Sequence, residues 1–149
     1  MMVTEKTVPP RYTQLFRSRQ ENADPEGRIT AMTRELEELI GEAASTPWLS
    51  PTNLTLPAQE IARGHPPKVY SYAGGLDPFR DDCVIYNDWL SGLPGVESRT
   101  RLLEDENHTS WVTLPMPACH SQTIKEVTLD GMAWLLGVEW DKEQTELPW

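Results

Sequence analysis

The sequence has no apolar run approaching the ~18 residues that a membrane-spanning helix needs, so no transmembrane segment is expected. Its opening, MMVTEKTVPPRY, lacks the apolar stretch of a secretory leader, and a cytoplasmic chain is therefore expected. Positive charge is scarce as well. Lys and Arg number 13 against 23 Asp and Glu, a formal net charge of −10. Phosphate backbones and anionic lipid surfaces are bound by basic faces, so neither nucleic acid nor a membrane is an expected partner. Cysteine is nearly absent. Cys83 and Cys119 stand in no Cys-x-x-Cys pair and no Cys/His cluster, which reads as two reduced thiols. Cys83 is expected to pack rather than to act as a nucleophile.

What is present suits one α/β domain over residues 1–149. Residues 1–23 read as an irregular polar segment. Residues 24–67 read as a helix and a loop. Asp24 would cap that helix with Pro25 in its first turn. Ile29, Met32, Leu36, Leu39 and Ile40 would form its apolar stripe, leaving Glu35, Glu37, Glu38 and Glu42 in solvent. Trp48 and Leu49 would pin the loop to the core.

The best-defined segment is 68–140. Lys68–Ala73 is β-branched and aromatic enough for a strand. Asp81–Leu90 reads as a helix that packs through Val84, Ile85, Trp89 and Leu90 and stops at Gly92. Pro94-Gly95 makes a turn, and Val96–Leu103 is the second strand. A polar loop, Glu104–Thr109, follows. An irregular apolar stretch, Trp111–Met116, leads to a helix over Ser121–Leu136. That helix would start on a capping box at Thr123–Glu126, pack through Ile124, Val127, Met132, Leu135 and Leu136, and close at Gly137. Residues 141–149 form an acidic tail. Strand–helix–strand with a short turn predicts a right-handed parallel crossover. Two parallel strands are too few for a sheet that stands alone.

Between the first strand and its helix lies Gly74-Gly75-Leu76-Asp77-Pro78-Phe79-Arg80-Asp81-Asp82, followed by Val84-Ile85-Tyr86. The second strand leads to His108-Thr109-Ser110-Trp111, and the last helix ends in Trp134-Leu135-Leu136-Gly137. This series resembles the C-terminal half of α/β-hydrolases of the hormone-sensitive-lipase-like group, fungal members most of all. There a strand ends in Gly-x-Asp-Pro-Leu-Arg-Asp-Glu, and the next in a loop bearing His before Gly-Phe-Trp. RSRQENADPEGRI and STPWLSP are similar to the segment that precedes these motifs in the family. The resemblance covers most of residues 8–140. It departs at Asn107, where the family has Pro, and at Thr109, where it has Gly.

The resemblance implies a partial α/β-hydrolase fold: a short parallel sheet with covering helices, completed by dimerisation. It places Asp77 at the triad acid and His108 at the triad base, 31 residues apart. One crossover unit brings both to the same sheet edge, where α/β sheets bind ligands. Read locally, Asp77 is equally a helix cap before Pro78, and His108 an exposed loop histidine or what is left of a lost triad. None of the eight serines lies in a Gly-x-Ser-x-Gly elbow, and no His-Gly-Gly oxyanion motif occurs. A serine-esterase mechanism within this chain alone is therefore not expected.

The favoured expectation is acid/base chemistry by His108 and Asp77 on a hydrophobic small molecule: a cyclisation, isomerisation or elimination, in fungal secondary metabolism. Trp111 and, more weakly, Trp48 are the candidate substrate contacts. No cofactor is expected. Asp81, Asp82, Asp105 and Glu106 read as surface charge, and with His108 they lack the spacing of a metal site. The alternatives are a non-catalytic interaction partner and the C-terminal half of a split serine hydrolase. Either would engage a homodimer mate or a hydrolase-like partner chain through the exposed sheet edge.

Overall fold

A computed structural model describes residues 3–23, 28–108, 110 and 118–143. The chain divides into two compact units, residues 1–108 and 109–149. In the first, short helical turns lead into α1 (Ser18–Glu21) and α2 (Arg28–Ile40). Then follow α3 (Ala58–Gly64), β1 (Lys68–Gly74), α4 (Arg80–Ser91) and β2 (Glu97–Leu103). The second unit contains α5 (Ala118–Leu136).

The predicted parallel pairing of the two strands across one helix is present. β1 and β2 pair in parallel, in a register that runs from Lys68 opposite Glu97 to Gly74 opposite Leu103. Both strand ends thus fall level, and the loops that leave them start side by side. The α4 face of the sheet carries Ser71 and Thr100, whose hydroxyls lie 2.9 Å apart. Cys83 on α4 meets both hydroxyls, and burial pushes its thiol pKa up, so it remains a neutral packing group. The turn from α4 to β2 closes with the Val96 N–H on the Leu93 carbonyl, with Pro94 and Gly95 between them.

The core gathers Ile85, Trp89, Leu90 and Leu93 of the crossover with Tyr12 from the N-terminal segment. Ala58, Ile61 and Ala62 of α3 pack against it. The N-terminal segment is thus not the irregular strand of polar chain that its composition suggests. Val3, Tyr12 and Ser18 are fully or almost fully buried. A helical turn at Pro10–Tyr12 drives the tyrosine ring inward.

Several sequence expectations give way. The stretch read as loop within 24–67 holds a full helix, α3, and two 3-10 turns, Gly41–Ser45 and Pro51–Asn53. Trp48 does not pin it. The Leu49 N–H closes a turn on the Thr46 carbonyl, which puts Pro47 and Trp48 at the tip, and Trp48 is 93% exposed. Ser50 and Thr52 are the buried anchors. On α2 the buried face centres on Thr33. Leu39 and Met32 lie roughly 100–120° around the helix from it, and both are exposed. The expected cap, Asp24 and Pro25, lies outside the described residues.

α5 starts before the predicted Thr123 capping box, so Thr123 stands inside the helix. Val127 is buried, whereas Met132, Leu135 and Leu136 are exposed. At 100° per residue Leu136 sits about 180° from Val127, so the expected stripe did not define one face. The predicted stop holds. Gly137 takes a left-handed φ of 69°. The Val138 N–H bonds the Ala133 carbonyl at 3.0 Å and the Gly137 N–H that of Trp134 at 3.3 Å. This double bond pattern is the Schellman closure, which glycine serves best. The chain beyond folds back through the Trp140 indole N–H, which donates to Asp130 at 2.9 Å.

Ile85 is fully buried, whereas Leu39 is 84% exposed. Ile85→Ala is expected to lower unfolding free energy in urea by about 2–5 kcal/mol. Leu39→Ala is expected to stay within about 0.5 kcal/mol of the unaltered protein.

Candidate active site

The two loops at the ends of β1 and β2 are fastened to each other by backbone. The Gly75 N–H donates to the Leu103 carbonyl at 2.8 Å, and the Leu76 N–H to the Glu106 carbonyl at 2.9 Å. This requires glycine for its lack of a side chain. A Cβ on Gly74 would overlap the Glu106 carbonyl oxygen and lie 2.7 Å from its carbon. One on Gly75 would overlap the Glu104 carbonyl oxygen and lie 2.8 Å from the Glu104 Cα. Neither glycine has a positive φ, so space and not conformation decides.

The fastened loops bring Asp77 to His108. Asp77 Oδ2 lies 3.0 Å from His108 Nδ1. An ionised carboxylate only accepts, so Nδ1 carries the proton, and the neutral ring keeps its lone pair at Nε2. The other oxygen, Oδ1, accepts the Phe79 N–H at 2.7 Å, in a turn that leads into α4. Asp77 therefore closes the turn ahead of α4 rather than capping the helix, whose N-cap position is held by Phe79, while its other oxygen faces His108. Asp77 is buried while the His108 side chain is 36% exposed. The carboxylate is thus shielded and the imidazole can be reached. Phe79 flanks the imidazole with ring centroids 5.0 Å apart. The Asn22 side-chain amide holds the Asp77 loop from below, donating to the carbonyls of Gly75 and Asp77 at 2.9 and 3.0 Å.

A buried charged network adjoins the Asp77 turn, where the sequence leads one to expect surface charge. Asp81, Asp82 and Glu106 are all buried, at 4%, 5% and 6% exposure. Asp81 Oδ2 accepts the N–H groups of Arg17 and Ser18, each at 2.6 Å, and Oδ1 accepts Arg80 Nε at 2.9 Å. Ser18 Oγ donates to the Pro78 carbonyl at 2.7 Å and accepts the Asp81 N–H at 3.2 Å. Burial opposes the Asp81 charge, but the Arg17 N–H, the Arg80 guanidinium and the Ser18 N–H outweigh it and hold its carboxyl below the usual value. Asp82 pairs with Arg19 at 2.9 Å. There burial prevails over the arginine and pushes the carboxyl up to about 6. The sequence signal for this network was the match of RSRQEN with Arg-Asp-Asp, two oppositely charged stretches 60 residues apart, which composition alone does not pair.

Trp111, the stronger substrate-contact candidate, lies outside the described residues. Trp48 stands exposed on its turn, with no pocket wall built around it among the described residues. A cleft of about 650 Å³ opens elsewhere, between Thr4–Thr7 and the helical segment bearing Arg34, Glu37, Glu38 and Glu42, and includes neither Asp77 nor His108. No group of three His, Cys, Asp or Glu side chains among the described residues is placed to hold a metal. None of the described helices is long and apolar enough to cross a membrane.

The solved structure of vibralactone cyclase matches the chain. The match has a TM-score of 0.71 at 22% identity and spans 91% of this chain and 38% of the cyclase chain. The chain has a partial α/β-hydrolase-like fold. It corresponds to about two fifths of the length of that structure. No family model and no curated protein matches it.

Two expectations follow. Gly74→Ala forces the loops apart and lowers stability by about 1–3 kcal/mol, as denaturant titration will show. For Asp82 the folded carboxyl lies above its ordinary value of 3.8, at about 6. Its contribution to stability is therefore fully present below 3.8 and lost as pH rises through 6. Asp82→Asn removes that dependence. The stability of the variant relative to the unaltered protein should improve by up to about 3 kcal/mol between pH 4 and pH 7.

Proposed function

We propose that this chain performs acid/base chemistry on a hydrophobic small molecule through His108 and Asp77, with no covalent serine intermediate. The observation that carries the reading is the 3.0 Å bond between Asp77 and His108 Nδ1, in a sequence without a Gly-x-Ser-x-Gly elbow. The neutral imidazole takes a proton at Nε2 from an acidic C–H or O–H of the substrate. Asp77 stabilises the imidazolium that results, and the ring returns the proton to another atom of the same molecule. Bonds rearrange with no net gain or loss of atoms, which describes a cyclisation or an isomerisation; if a leaving group takes the proton, the outcome is an elimination. The matched protein is by name a cyclase, so cyclisation is the first reaction to test. The motif resemblance supports a hydrolase-like scaffold of the hormone-sensitive-lipase-like type and a place in fungal secondary metabolism.

A second reading has its own observation. The described sheet has only two strands, and the chain spans 38% of the matched structure. A homodimer mate would add strands at an outer edge and make the chain a non-catalytic interaction partner, whereas a partner chain bearing a nucleophile would complete a split serine hydrolase.

The test uses the metabolite that accumulates when the gene is inactivated. The purified chain should convert it, and His108→Ala and Asp77→Asn should each slow conversion by about 10²-fold or more. Unchanged turnover in both variants sinks the acid/base reading. Light scattering separates the second reading: a mass of 16.9 kDa for a chain that turns the metabolite over contradicts any need for a partner.

A further inference from the structure

The geometry points to Phe79, held in place by Arg19, as the positioning residue for His108; this rests on the acid/base reading of the Asp77–His108 pair. Phe79 touches the pair twice. Its N–H donates to Asp77 Oδ1 at 2.7 Å. Its ring lies 5.0 Å from the imidazole, tilted by 41°. One residue thus fixes the carboxylate through its backbone and flanks the imidazole with its side chain. Turning the imidazole about its Cβ–Cγ bond would replace Nδ1 by a ring carbon and break the bond to Asp77. An aromatic neighbour at this distance restricts that turn.

Phe79 is in turn restrained. The Arg19 guanidinium carbon sits 4.0 Å from its ring centroid. A second aromatic ring, Phe16, lies 5.5 Å from the same carbon. Arg19 is itself fixed on several sides. Nη2 bonds Asp82 at 2.9 Å and the Val3 carbonyl at 3.2 Å, Nη1 bonds the Pro78 carbonyl, and Glu37 lies 3.6 Å from Nε. The side chain is 10% exposed. A planar guanidinium can stack on a ring while its edges bond carboxylate and carbonyl oxygens, and an ammonium cannot do both. The order of support therefore runs from the N-terminal segment and α2 through Arg19 to Phe79, and from Phe79 to both members of the pair. This gives the buried ion pair of Arg19 with Asp82 a purpose beyond joining α1 to α4.

The experiment follows the His108 Nδ1 proton by NMR in the full chain labelled with ¹⁵N, measuring its exchange with water and the thermal midpoint of each variant. Phe79→Leu keeps an apolar side chain and loses the flat ring. Phe79→Tyr keeps the ring. Arg19→Lys keeps the charge and loses the planar stack. Phe79→Leu and Arg19→Lys are expected to speed exchange by about tenfold, and Phe79→Tyr to restore slow exchange. If folded Phe79→Leu and Arg19→Lys exchange at the rate of the unaltered protein, the positioning role is overturned and the pair itself stands. If Asp77→Asn also leaves the rate unchanged, the acid/base reading fails as well. Should Phe79→Leu not fold, Arg19→Lys decides alone.

Discussion

The site depends on how closely two loops can lie. β1 and β2 end level with each other, and the chain that leaves each must turn within a few residues. Gly74 and Gly75 let the backbone of Glu104–Asn107 rest directly on the β1 loop, at distances no side chain would allow. Two backbone hydrogen bonds then lock the loops in register. Asp77 and His108 are 31 residues apart in the chain, and their side chains meet because these backbones do. The carboxylate is oriented from its other oxygen by the Phe79 N–H, so the pair is already ordered for the acid/base role proposed for it.

A second layer holds the first. The N-terminal segment contributes no strand, yet it buries Tyr12 in the core and lays α1 against the start of α4. The contact is made by charge that has been taken out of water. Such groups are costly unless each is bonded, and here Asp81 is met by two N–H groups and a guanidinium, and Asp82 by Arg19. The two neighbours end in opposite states. N–H donors and the Arg80 guanidinium together hold Asp81 charged, whereas at Asp82 desolvation prevails over Arg19 and holds the carboxyl nearer protonation.

These layers differed in how well the sequence revealed them. The strand–helix–strand unit was legible because its cues are local: a β-branched run, one helix with a strong packing side, a Pro-Gly turn. The pairing of Asp77 with His108 was legible through the motif resemblance, and the geometry bears out the proximity. The faces of α2 and α5 were not, because which side of a helix is buried is set by its neighbours. Thr33 holds the middle of the α2 face where Leu39 looked the better candidate. Trp48 misled for a similar reason: a large apolar side chain at a turn tip has nothing to bury against. Asp81 and Asp82 were read as solvated because burial of charge depends on partners 60 residues away.

The role proposed for His108 as a base rests on the loop contact, which puts the ring proton on the nitrogen that faces Asp77. The ¹⁵N spectrum of the His108 ring in the unaltered protein, recorded where the imidazole is neutral, tests this most directly. The account predicts a protonated-type signal at Nδ1 and an unprotonated-type signal at Nε2. A ring protonated at Nε2, or two nitrogens averaged as in free histidine, would contradict it.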